Sequence, residues 1–276
     1  MHSLVLTVHD KGWLLHQVLD GIKNNTTGTY ELVVVLDGCS DNSEEVLDTF
    51  IQEEPRLTIK KVITPDVFET RANNAGIKEC EGDYIIIIQD DMVIKEPGWS
   101  KRMEKPFDEF YDVFGVTARS AWNYRLRPNS VHLRLPKEED LKIDNDWSDI
   151  FFHHNHTNRD EGLKRNIFAV RNNICRGPMM LDHADLLKLG MFDEIFEPQD
   201  QDDADLCFRA FRDLGKVVGA YWIDYDSDLT WGSTRPNGRD AAPWLLKAHH
   251  KNTRIVWERH QNLILNEAHD ENRVLK

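Results

Sequence analysis

Basic residues are in short supply: 34 Lys and Arg stand against 48 Asp and Glu, a formal charge of −14 over 276 residues. A nucleic-acid or anionic-membrane surface needs a basic footprint to meet phosphates, so this balance argues against both as partners. Cysteine is sparse too. Cys39, Cys80, Cys175 and Cys207 are scattered, with no C-x-x-C pair and no metal-ligand spacing, and read as reduced thiols of a cytosolic chain. No apolar run approaches the roughly 20 residues of a membrane-spanning helix. A strand pattern begins almost at Met1, so no signal peptide is expected. Repeats and low-complexity tracts are missing. What is present is a 40% apolar chain with eight tryptophans, enough for a substantial core in one large α/β domain or two small ones.

The most informative stretch is EGDYIIIIQDDMV, residues 81–93. A short, continuous, β-branched run bounded by polar residues reads as an interior strand of a parallel sheet, buried on both faces. Its C-terminal end carries Asp90 and Asp91, at the edge where open α/β sheets bind ligands. Neighbouring carboxylates repel, so the pair makes sense with a divalent cation between it and a phosphate-bearing ligand. The plainer reading is a solvated turn, where Asp is common.

Around this stretch, strand and helix patterns alternate. Strands are expected at 3–8, 31–36, 57–63, 114–117, 176–181 and 217–223. Helices are expected at 13–22, around Val46 to Ile51, and at 71–80, 95–112, 184–189 and 206–214. Ser40 or Asp41 is suited to cap the second helix. Such alternation gives βαβ units and right-handed crossovers. From 118 to about 171 the chain reads as polar, aromatic and irregular, which in a compact domain marks a functional or mobile loop region. It holds His153, His154 and His156, whose spacing suits three zinc ligands poorly, and Trp122, Tyr124 and Trp147, which suit either stacking on a ligand or a satellite core. The tail is expected to be helical.

Four segments, in order, resemble the nucleotide-sugar glycosyltransferases of the GT-A fold, specifically the inverting family 2. LTVHDKG is similar to the opening strand and loop, and VVVLDGCSD to the segment after the second strand. TRANNAGIKECEGDYIIIIQDDM resembles the helix leading into the metal-binding acids. GMFDEIFEPQDQDDADLCFR resembles the segment that carries the catalytic base. Departures are visible. Leu36 replaces the first Asp of one pair, leaving Asp37; Gln89 takes the first position of the Asp-x-Asp; and Asp202 with Asp203 replaces Glu-Asp. The late metal-binding histidine is missing from YDSDLTWGST, leaving Asp228, His249 or His250 as substitutes.

The resemblance implies an α/β GT-A fold: a Rossmann-like, mostly parallel sheet flanked by helices, an irregular acceptor-side region and a C-terminal helical tail. It implies a domain over 1–235, with a nucleotide-sugar half at 1–117 and an acceptor and base half at 118–235, and a helical extension at 236–276. Asp203, or else Asp202, would be the base. Their plainer role, with Asp205, is to cap the following helix. Asp91 and Asp90, with Asp228, would hold Mn2+ or Mg2+, and Asp90 would also reach the ribose. Asp37 would meet the nucleobase, His9 stack on it, and Lys11 and Arg71 reach phosphates, with Thr7 on the same loop. Each also has an ordinary turn or surface reading. The implied partners are a UDP-sugar donor and a glycan, lipid-linked or protein acceptor, in a cytoplasmic chain, peripheral to a membrane through its acceptor. Two rivals differ in kind. A sugar-phosphate nucleotidyltransferase would carry a Gly-rich G-x-G-T-R loop, which VHDKGW lacks, and a catalytically silent binding relative is compatible with Leu36 and Gln89.

Overall fold

The computed structural model describes residues 1–126, 150–228, 230–231 and 243–276, so Trp147 lies outside the described residues. The strands are β1 (His2–Val8), β2 (Tyr30–Asp37), β3 (Thr58–Thr64), β4 (Tyr84–Gln89), β5 (Val93–Ile94), β6 (Val113–Thr117), β7 (Ser120–Leu126), β8 (Phe151–Asn158), β9 (Ile167–Arg171), β10 (Asn173–Ile174), β11 (Met179–Asp182), β12 (Val217–Tyr221), β13 (Tyr225–Asp226) and β14 (Glu271–Val274). The helices are α1 (Gly12–Asn25), α2 (Ser43–Glu53), α3 (Phe68–Ile77), α4 (Trp99–Glu109), α5 (His183–Lys188), α6 (Asp202–Leu214) and α7 (Pro243–Asn266).

One nine-stranded sheet in the order β14-β9-β12-β6-β11-β4-β1-β2-β3 organises the molecule. β3, β2, β1 and β4 pair in parallel, as do β6 and β12; β11 and β9 run against their neighbours. The isoleucine strand β4 is central, and its side chains alternate between two cores. Ile86 and Ile88 join Leu4, Leu6, Val34 and the apolar faces of α1 and α4. Ile85 and Ile87 join Val5, Val33, Val35 and the faces of α3, α5 and α6. All four isoleucines are fully buried, each worth about 1.5–3 kcal/mol of transfer free energy. α3 packs tightly because residue 76 is glycine: a Cβ there would stand 2.6 Å from Val5 Cγ1.

The expected parallel βα framework is present, as an α/β fold with a largely parallel sheet and helices on both faces. Two regions differ from expectation. Residues 118–171 contain β7, β8 and β9; β7 and β8 join β10 in an antiparallel three-stranded sheet. Their polar and histidine-rich composition hides the strands, because α6 and α7 cover one face through Phe208, Val256 and Trp257. The tail is not wholly helical. Beyond α7 the chain returns as β14, pairs antiparallel with β9 and becomes an edge of the main sheet. Arg273 fixes it there with a two-pronged pair to Asp112 at 2.6 and 2.8 Å. Within the expected helical extension, the described residues of α7 and β14 thus pack against the core and the sheet edge.

Candidate active site

Because β1, β2 and β4 run in parallel and in register, their C-terminal ends share one rim. Backbone and side-chain bonds tie the rim together. The His9 amide donates to Asp90 Oδ2 at 3.0 Å, and His9 Nδ1 lies 2.6 Å from the Asp37 carbonyl. Asp37 is buried, and its Oδ1 accepts from Thr64 Oγ1 at 3.1 Å and the Val67 amide at 2.8 Å. Thr7 lies in β1 between Val35 and Gln89. Lys11 is buried, and its ammonium donates to the Trp231 carbonyl, closing the first loop on the late loop that bears Asp228. The turn bond from the Trp231 amide to the Asp228 carbonyl completes that contact.

Asp90 and Asp91 follow β4 directly. Burial pushes the Asp90 carboxyl up to about 7; the His9 amide and Lys11 oppose this, and the neighbouring Asp91 adds to it. Asp91 Oδ1 is buried with no hydrogen-bond partner. A buried, orphaned carboxylate oxygen is costly unless something else satisfies it. A divalent cation fits this donor set, since Mg2+-type sites often use one or two carboxylates and take their other ligands from water and substrate phosphate. The antiparallel ribbon of β5 and β13 pairs Asp226 with Val93, which carries the chain beyond Asp226 back alongside Asp91. Asp228 itself is exposed and bonds Thr230 at 2.7 and 2.6 Å. Among the described residues, the sets of three potential ligand atoms within 4.8 Å are His9, Asp37 and Asp66, and Asp10, Cys39 and Asp41; Asp90, Asp91 and Asp228 do not form one.

The two acids at the start of α6 have different surroundings. Asp202 is fully buried. It takes two bonds from Arg176, at 2.7 and 2.5 Å, and one from Thr70 Oγ1 at 2.8 Å. Its oxygens are committed, so the expectation of Asp202 as an alternative base does not match its geometry. Asp203 is partly exposed, and its Oδ1 accepts from the Ala204 amide at 2.8 Å. Desolvation pushes its carboxyl up to about 7; Arg176 pulls against this, while Asp202 and Asp200 add to it. Such a group accepts a proton readily near neutrality. Arg176 also reaches Glu69 at 3.1 Å, and Glu69 accepts from Gln89 Nε2 at 3.1 Å. A continuous polar chain therefore joins the Asp203 segment to the end of β4.

Several residues that shape this site carry no sequence signal. Asp200 and Gln201, just before the acids, have φ of 81° and 67°, a left-handed conformation costing of order 1–3 kcal/mol per non-glycine residue. Tyr124 holds Gln201 by a 2.9 Å hydrogen bond, and Asn252 of α7 donates to the carbonyls of Gln199 and Asp200 at 2.9 and 3.1 Å. Asp205, expected only as a capping acid, is a buried link to α7. Burial raises its carboxyl, but His260 at 2.8 Å and Arg209 at 2.7 Å more than offset that and hold it at about 2. His249 also contacts Asp200. Arg71 departs from its expected phosphate role: it pairs with Glu197 at 2.6 Å and Glu194 at 3.4 Å, because the loop before α6 brings both glutamates to its side of α3. In the acceptor-side sheet, Trp122 and His153 stack with centroids 4.4 Å apart. All four cysteines are free thiols, and no described helix is long and apolar enough to cross a membrane.

With this geometry, the sequence matches the family model described as glycosyl transferase family 2 over residues 3–166. The chain belongs to that family. Among curated relatives, the glycosyltransferase GlyG of Streptococcus pneumoniae serotype 4 is 30% identical over 94 residues, covering 34% of this chain and 31% of the relative. An undecaprenyl-phosphate 4-deoxy-4-formamido-L-arabinose transferase of Proteus mirabilis is 30% identical over 141 residues, covering 49% and 43%. This family 2 chain thus spans less than half the length of either relative. Among solved structures, GalNAc-T7 with UDP, GalNAc and Mn2+ superposes with a TM-score of 0.60 at 15% identity, covering 80% of this chain and 42% of that one. The Pyrobaculum calidifontis mannosyltransferase PcManGT, in complex with GDP-Man and Mn2+, gives a TM-score of 0.52 at 14% identity, covering 80% and 54%. Both likenesses concern the fold.

Proposed function

We propose that this family 2 chain is a metal-dependent, inverting glycosyltransferase. It would move one sugar from a nucleoside-diphosphate donor, with UDP-sugars the first choice, to a hydroxyl of a glycan, lipid-linked or protein acceptor. The observation that carries the reading is the rim itself: a buried carboxylate oxygen of Asp91 without a partner, beside Asp90, with the raised Asp203 linked to the same strand end. The UDP, GDP-Man and Mn2+ in the two solved relatives support a nucleotide-sugar and a divalent cation. The undecaprenyl-phosphate transferases among the relatives support a lipid-linked acceptor, which would bring the chain to a membrane surface.

In this reading Asp91, with Asp90 beside it, would hold Mn2+ or Mg2+, which when bound would supply Lewis-acid stabilisation to a leaving diphosphate. Asp37 receives the nucleobase and the His9 ring packs against it. Asp203 takes the proton of the acceptor hydroxyl as its oxygen attacks the anomeric carbon from the face opposite the diphosphate. The bond from that carbon to the diphosphate oxygen breaks, and the nucleoside diphosphate leaves with the electron pair. A positioned base of this kind typically contributes on the order of 10²- to 10⁴-fold. Asp202 and Arg176 position the base without touching substrate.

A panel of nucleotide-sugars with Mn2+, read first by thermal shift and then by donor hydrolysis, tests the reading. The cognate donor at 100 times its dissociation constant should stabilise the chain by about 2.7 kcal/mol, and Asp91→Ala should abolish both responses. Binding without turnover would identify a silent binding relative. Synthesis of a nucleotide-sugar from a sugar phosphate and a nucleoside triphosphate would identify a nucleotidyltransferase. No response to any nucleoside diphosphate would overturn the reading.

A further inference from the structure

Arg119 follows β6, whose C-terminal end lies on the same side of the sheet as that of β4, and none of the roles above uses it. Its Nη1 donates to Gln89 Oε1 at 2.8 Å. Gln89 immediately precedes Asp90, and its Nε2 is held by Glu69 at 3.1 Å, so the amide is fixed at both ends. Arg119 is thus held at the residue that leads directly into the two acids.

The surrounding arginines are committed to acids: Arg71 to Glu197, Arg176 to Asp202 and Glu69, Arg209 to Asp205. Arg119 is exposed, and no carboxylate among the described residues lies within ion-pair distance of it. In a chain with 14 more acids than bases, a guanidinium would ordinarily find a carboxylate partner. The neutral amide of Gln89 orients it and leaves its charge intact. Its remaining N–H groups form the fork that suits phosphate oxygens.

We propose that Arg119, oriented by Gln89, receives the diphosphate of the donor, the role the sequence suggested for Arg71. This rests on the nucleotide-sugar reading of the same rim. Calorimetry with Mn2+ separates the two, using UDP and GDP as probes and uridine and guanosine as controls. Arg119→Ala should weaken binding of the recognised diphosphate by about 10- to 100-fold, the range for a charge-assisted hydrogen bond. Nucleoside binding and melting temperature should stay unchanged, and Arg119→Lys should recover part of the loss. Gln89→Leu should cause a smaller loss that is not additive with Arg119→Ala. Equal losses for nucleoside and diphosphate, or no loss for Arg119→Ala, would overturn the role of Arg119 while leaving the glycosyltransferase reading intact. Additive losses would overturn the orienting role of Gln89. A wild-type chain that binds neither diphosphate would overturn both.

Discussion

Asp202 and Asp203 are adjacent in sequence, yet their neutral variants should fail in opposite ways. Asp202→Asn turns an acceptor oxygen into a donor amide facing Arg176 and Thr70, and leaves the buried guanidinium with Glu69 alone, 3.1 Å away. Breaking a buried pair in this way costs about 3–5 kcal/mol. At roughly 2–4 °C per kcal/mol, the melting temperature should fall by about 6–20 °C. Asp203→Asn keeps an oxygen for the Ala204 amide and removes one charge from a cluster with Asp202, Asp200 and Glu69. Its melting temperature should therefore match or exceed the wild-type value, while transfer falls by about 10²- to 10⁴-fold. Thermal denaturation and sugar transfer, measured on both variants at saturating donor and Mn2+, decide the matter. A stable, inactive Asp202→Asn beside an active Asp203→Asn would refute the assignment.

Asp203 must be unprotonated to act, so kcat/KM should rise with pH through about 7 and plateau above it; a flat profile from pH 5 to 8 would contradict this. The same raised carboxyl opposes folding as pH rises. The unfolded acid releases its proton near 4 and the folded one near 7, so the stability advantage of Asp203→Asn should grow across that window in urea titrations. Gly177→Ala places a Cβ 2.7 Å from Gln89 Oε1 and Met92 Sδ at a φ of +82°; it should cost about 1–3 kcal/mol and weaken diphosphate binding in calorimetry. Asn252→Ala removes the donor that holds the carbonyls of Phe196, Gln199 and Asp200 at 2.7, 2.9 and 3.1 Å. Transfer should drop more than thermal stability, and an effect on stability alone would make Asn252 a mere core contact.

The sequence by itself determined the parallel half of the fold. An isoleucine run can be buried on both faces only in an interior strand, and the regular βα alternation then brings His9, Asp37 and Asp90 to one rim. Local pattern also marked the acids at the start of α6. It could not tell Asp202 from Asp203, because the difference lies in Arg176 and Thr70, 26 and 132 residues away along the chain. Nor could it find β7, β8 or β14. Those strands lack a clean apolar alternation and owe their pairing to α6, α7 and β9. Arg71 and Arg119 are both arginines near the rim; only the folded chain shows that one faces glutamates and the other a neutral amide. Periodicity records which face of an element meets the core. Which charge meets which depends on contacts between distant segments, and those exist only once the chain has folded.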